Sequence, residues 1–269
     1  NVTIETLPAS TITMSRDKRS LTISEIYVTG FNKVLILGEE LARQGIKPVV
    51  DSLYRSPTVS HSVRWAVVEG RGEDLFKLSP PNYENMGVYL LNMLNDTKGN
   101  SFMPTVTHHQ VEVWQSPGKN PIMPLLLRGG SNEVVLGGLA IFKKDRMIAR
   151  INPQQSKALM FLRGIHSQGY LPFIDPRSGS QGAAFVANSR KVEVERQGDF
   201  YAFKIKIMLR GAVHEHPESG EIDVEYNREI EEALARETRQ QCLDLLKTMQ
   251  EEWKIDCIDI SKFALAKWR

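Results

Sequence analysis

His214-Glu215-His216 is the most conspicuous group of chemistry-bearing residues in the sequence. Alternate side chains of a strand share one face, so the two imidazoles would project together, as metal sites require. The preceding residues, however, place Lys204, Lys206 and Arg210 on that same even-numbered face, the solvent side. A bulge at Gly211 would be needed to flip the register. Glu218 is the nearest further donor, and no third ligand stands at a fixed metal-site spacing. The pair reads as surface histidines, with a metal-dependent enzyme using His214 and His216 as the rival reading. His108-His109 is weaker, because residues 109–114 read as a strand and strand neighbours point to opposite faces. His61 and His166 have no Cys or Asp nearby in sequence.

Other signatures break down on inspection. Gly70-Arg71-Gly72 follows a strand as a dinucleotide-binding turn would, but Leu75 stands where that fingerprint needs Gly or Ala. Ser178-Gly179-Ser180 lacks the first glycine of a nucleophile elbow and sits in a polar loop. There is no P-loop and no HExxH helix. Charges nearly balance, 34 basic against 32 acidic residues, net +2. They are mixed along the chain, without the basic stripe of a nucleic-acid binder or the polybasic run of a membrane-surface segment. The two cysteines, Cys242 and Cys257, are too few for a disulfide scaffold and read as reduced, buried thiols. The expectation is therefore no catalytic residue, no cofactor and no metal ligand.

The elements that surround these residues are those of an α+β protein. Lys33-Val34-Leu35-Ile36-Leu37 is a buried-strand run ended by Gly38, which lets the strand turn. Glu39 and Glu40 then suit a helix N-terminus, and Pro48 opens a second helix. Residues 63–68 form another strand. Pro80-Pro81 marks a boundary, since neither residue can donate a backbone hydrogen bond. Met86, Tyr89, Leu90, Met93 and Leu94 make an amphipathic stripe, and residues 96–100 read as a turn. Strands are expected at 109–114, 122–127 and 134–142, the last two joined by a hairpin loop at 129–132. Asn152, Pro153 and Gln155 carry the marks of a capped helix that ends at Gly164. Residues 173–182 read as a loop, 191–209 as a hairpin, and 226–253 as one helix roughly 40 Å long. Small mixed or antiparallel sheets covered by helices fit this order better than a doubly wound sheet. Three small consecutive domains are expected, over residues 1–80, 81–147 and 148–269. The opening Asn1-Val2-Thr3-Ile4 looks like the middle of a strand, and the sequence reads as a piece of a longer precursor.

The run Lys33-Val34-Leu35-Ile36-Leu37-Gly38-Glu39-Glu40-Leu41-Ala42-Arg43-Gln44-Gly45 resembles the N-terminal signature of the Ger(x)C lipoproteins, the C subunits of spore germinant receptors. Residues 49–57, with Arg55-Ser56-Pro57, resemble the family's next helix and its exit. Gly138-Leu139-Ala140-Ile141-Phe142-Lys143-Lys144-Asp145 resembles a second signature. The helix after Ile151, the charged hairpin, the long helix and the Asp256-containing tail follow in the family's order. Phe31-Asn32 stands where many members carry a histidine.

The resemblance implies a protein of three small α+β domains without enzymatic activity, required for nutrient-triggered germination. It implies partners, the integral-membrane A and B subunits of the receptor, and a site on the outer face of the spore inner membrane. Attachment there would be through a lipid anchor of the palmitate type on an N-terminal cysteine, which neither Cys242 nor Cys257 can supply. A solute-binding lipoprotein that captures the nutrient itself is the alternative; such proteins need a deep cleft between two large lobes.

Overall fold

A computed structural model of the chain describes residues 6–21, 29–80, 82, 83, 85–100, 102–114, 116, 118–130, 132–216 and 222–268. The expected opening strand at Asn1–Ile4, and Pro81, Ser131 and Glu218, lie outside these residues. The chain forms two compact units, Asn1–Asn95 with Thr105–Ile151, and Asp96–Pro104 with Asn152–Arg269.

The first unit is built on a five-stranded sheet in chain order: β1 (Val34–Gly38), β2 (Arg64–Val68), β3 (Ile122–Arg128), β4 (Val134–Lys143) and β5 (Arg146–Ile151). β1, β2 and β3 run parallel, and β3, β4 and β5 antiparallel. The parallel pairs need crossovers. These are α2 (Glu39–Gln44) with α3 (Lys47–Tyr54), then α4 (Gly72–Phe76), α5 (Met86–Asn100) and α6 (His108–Trp114); α1 (Ile12–Ser20) precedes the sheet. Strands on both sides of Pro80 pair in this one sheet, and Pro80 lies in the crossover between α4 and α5, outside any strand ladder.

Ala66, Val68 and Leu126 on one face meet Leu75, Leu90 and Leu94 from the covering helices. Each fully buried leucine contributes roughly 2 kcal/mol. On β2 the alternate residue, Trp65, is also fully buried. Gly38 has φ −62°, which any residue adopts, so its role is not the turn itself. A Cβ there would lie 3.2 Å from the Gly70 carbonyl oxygen, and it is this close approach that calls for glycine.

The second unit holds α7 (Pro153–Arg163), β6 (Gln168–Ile174), β7 (Gln181–Gln197), β8 (Phe200–Glu215), α8 (Val224–Thr248) and α9 (Ser261–Lys267). Its sheet is an antiparallel meander, β6-β7-β8. Asn152 and Gln155 form the expected capping box, and Gly164 closes α7 at φ 71°. The long helix continues past α8 through a π-helical turn at Met249–Trp253.

Three local expectations differ. Residues 108–114 are helical, because Thr107 and Gln110 cap each other reciprocally: the Gln110 amide donates to Thr107 Oγ1 and the Thr107 amide to Gln110 Oε1. Residues 96–100 continue α5. β5 and β6 lack an obvious apolar run and come in addition. Among the described residues no helix is long and apolar enough to cross a membrane.

Candidate functional site

The first unit brings together histidines that are far apart in sequence. Backbone pairing between residues 61–65 and 106–109 does this: the Trp65 amide donates to the Val106 carbonyl, His108 to Val63, and His109 to His61. α6 then turns Glu112 back beneath all three rings. His61 Nδ1 lies 3.4 Å and His109 Nδ1 3.8 Å from Glu112 Oε2, while His108 Nε2 lies 3.1 Å from Oε1. His61 and His109 are exposed, 71% and 68%, while Glu112 is 13% and His108 1% exposed. Burial lowers the His108 pKa, against the pull of the Glu112 charge, so the ring is neutral near pH 7. Its plane stacks on Trp65, 5.5 Å away and 6° from parallel. Both His108 nitrogens and Glu112 Oε1 are shielded from solvent, yet none makes an aligned hydrogen bond. The 3.1 Å approach between them is off-line, an electrostatic contact.

His214 and His216 are not brought together. The register shifts between Ala183 and Ala184, which pair with Glu215 and Val213, so His214 bulges out of the ladder. The bulge is at His214, three residues beyond Gly211. His214 remains exposed, with its ring 5.6 Å from Tyr170 and 5.8 Å from Phe185. His216 turns inward, its Nε2 2.6 Å from the Tyr226 hydroxyl.

That hydroxyl in turn donates to Asp175. A tyrosine has one proton, so His216 Nε2 must be the donor to Tyr226. Asp175 is buried, and burial alone would raise its pKa. The amides of Ser178 and Arg177 and the Tyr226 hydroxyl, all donating to it, instead hold it down to about 2. Arg177 lies over the Tyr226 ring and pairs with both oxygens of Glu229 at 2.8 and 2.9 Å. The loop at 175–180, including Ser178, is thus pinned as an Asx-type turn, and the serine is a structural donor. Arg163, also buried, donates to the Cys257 carbonyl at 2.8 Å and pairs with Asp259 at 3.1 Å. Asp256 accepts from the amides of Ile258, Ile260 and Ser261 and so holds the start of α9. Cys242 and Cys257 are free, and burial pushes both thiols up to about 12.

Glu39, from the first signature run, is buried where α2 begins. It accepts from Arg43 and from Arg150 of β5, and Arg150 also reaches Glu69. Burial raises its pKa, but the two guanidiniums outweigh that and the net shift is downward. The signature carboxylate therefore ties α2 to β5, an edge strand of the sheet.

The second unit also contains an open cleft of ≈ 750 Å³ between β8 and α8. Phe203, Ile205, Ile207 and Leu209 form one wall, Ile230 and Leu234 the other, with Lys206, Glu231 and Arg239 among its polar residues. No residue of β8 is fully buried, so the described residues cover the apolar face of this strand only in part.

The sequence reading missed the cluster around Glu112 because His61 meets the α6 histidines only through long-range pairing. The available signal was the Thr107-x-x-Gln110 cap, which puts His108 and His109 at i−4 and i−3 from Glu112.

Residues 1–127 match the family described as Spore germination protein N-terminal domain. Residues 137–268 match Spore germination B3/GerAC like, C-terminal. The chain is 20% identical over 219 residues to the spore germination protein GerQC of Bacillus cereus, covering 80% of this chain and 61% of that protein. It is 22% identical over 260 residues to the putative spore germination protein YfkR of Bacillus subtilis (strain 168), covering 92% and 66%. It therefore spans between three fifths and two thirds of the length of these relatives. The crystal structure of the GerBC protein shares its fold, with a TM-score of 0.71 at 15% identity over 93% of this chain and 73% of that one.

Proposed function

The chain belongs to the Ger(x)C family of spore germination proteins, and from that premise we propose that it is a non-enzymatic subunit of a nutrient germinant receptor. The observation that carries this reading is the pair of consecutive family matches, over residues 1–127 and 137–268. The polar chemistry of the second unit supports it. Asp175, Arg163 and Asp256 direct their charges at backbone groups and neighbouring side chains, as structural networks do.

In this reading the protein is held at the outer face of the spore inner membrane by a lipid anchor. It contacts the integral-membrane A and B subunits. The cleft between β8 and α8 is the contact surface we assign to them, because a partner's apolar side chains would complete a strand face that the described residues cover only in part. Leu234→Arg at the cleft wall should keep the fold, since Leu234 is only partly buried. Co-expression with the A and B subunits and recovery in detergent tests the assignment. The native chain should co-purify with both, and Leu234→Arg should not. Recovery of the A and B subunits without this chain, or equal recovery with the variant, would contradict it.

The cleft's volume also lies within the range of small-molecule sites, about 300–1,000 Å³. Calorimetry of the native chain with candidate nutrients separates the two readings. Saturable heat that Leu234→Arg abolishes would favour nutrient capture over subunit contact.

A further inference from the structure

We infer that His61, His109 and Glu112 form a binding site for one divalent transition cation of the zinc class. One ring nitrogen of His61, one of His109 and one Glu112 oxygen all lie within 4.8 Å of one another. In a tetrahedral zinc site with ligand bonds of about 2.0–2.1 Å, the donors sit roughly 3.3 Å apart. Two of the three edges are already close to that, 3.4 Å from His61 to Glu112 Oε2 and 3.8 Å from His109 to the same atom. The third edge, between the two exposed imidazoles, is at most 4.8 Å.

The donor set selects the ion. Two imidazoles and one carboxylate suit zinc and its first-row neighbours, whereas calcium and magnesium favour all-oxygen shells. Three protein ligands leave the fourth position to solvent.

The support around the ligands is what separates this site from a chance meeting of surface side chains. His61 is tied to α6 by the His109 amide, and the Thr107–Gln110 cap fixes where α6 begins. Behind Glu112, His108 is almost fully buried with both nitrogens lacking an aligned partner. His108 Nε2 lies 3.1 Å from Glu112 Oε1, so a reoriented ring would donate to Oε1 and leave Oε2 to the ion. Ligating carboxylates are commonly held by a hydrogen bond from behind, and that role makes His108 a positioning residue. A buried polar group left without a hydrogen bond is costly, so the cluster gains when an ion draws Glu112 into line.

Calorimetric titration of the untagged chain with zinc chloride near neutral pH tests the site. We expect one ion per chain, with affinity falling at least about a hundredfold in His109→Ala and in Glu112→Gln, and about tenfold in His108→Phe. The double variant His214→Ala, His216→Ala should bind as the native chain does. His61→Ala is the safeguard on folding, because an exposed loop side chain can be removed without disturbing the core, and it too should lose binding. Cobalt substitution should give the intense visible bands of a four-coordinate site. Absence of saturable binding, or binding that survives His61→Ala, His109→Ala and Glu112→Gln, would overturn the assignment.

Discussion

Each unit buries a carboxylate beside a histidine, and the two differ in how they are satisfied. In the second unit Asp175 accepts from two backbone amides and from Tyr226, which itself accepts from His216. In the first unit Glu112 lies among three imidazoles, and its inner oxygen makes no aligned hydrogen bond. A closed network of this kind holds a fold together, whereas the Glu112 cluster leaves buried polar atoms without an aligned hydrogen bond.

The contrast predicts opposite responses to mutation. Asp175→Ala removes the acceptor of the Tyr226 hydroxyl and of two backbone amides inside the second unit. It should lower stability by about 3 kcal/mol, read as an earlier midpoint in urea. A change below about 1 kcal/mol would place the network among the dispensable ones. Zinc should act in the other direction on the first unit. At a free concentration one hundred times the dissociation constant it should raise native stability by about 2.7 kcal/mol, and it should leave Glu112→Gln unmoved.

Acid sharpens the comparison. The Asp175 pKa falls from 3.8 to about 2 on folding. The unfolded state therefore takes up its proton first as pH drops. The resulting stabilisation, of order 2 kcal/mol, is fully present above about pH 4 and is lost as pH falls through 2. Asp175→Asn should flatten that slope in acid denaturation; an unchanged slope would mean that another carboxylate carries it. The smallest effect is expected for Glu112→Gln without metal. With no aligned hydrogen bond to break at Oε1, it should shift stability by less than about 1 kcal/mol.

What was legible in the sequence was whatever local rules decide. The capping box at Asn152 and Gln155, the β1 run into α2, and the stripe of α8 follow from neighbours a few residues apart. β6 was hidden by Gly169 and Pro172. It is an edge strand of its sheet, the place that tolerates proline. β5 was hidden by Arg146 and Arg150, whose charges turn out to face solvent or Glu39. Residues 109–114 resemble a strand because Val111, Val113 and Trp114 favour one, but the Thr107 cap prevails. The bulge that parts His214 from His216, and the pairing that joins His61 to His109, both depend on partners tens of residues away. The candidate metal site therefore lay beyond local reading, while the family order of motifs did not.

The two families matched along the chain assign it to germination, and the receptor role is tested most directly in spores. A strain deleted for this chain, and the same strain re-expressing it, would be followed by loss of optical density with each nutrient in turn. The deletion should abolish or severely slow the response to at least one nutrient, and re-expression should restore it. Spores that respond normally to every nutrient without the chain would contradict the receptor role.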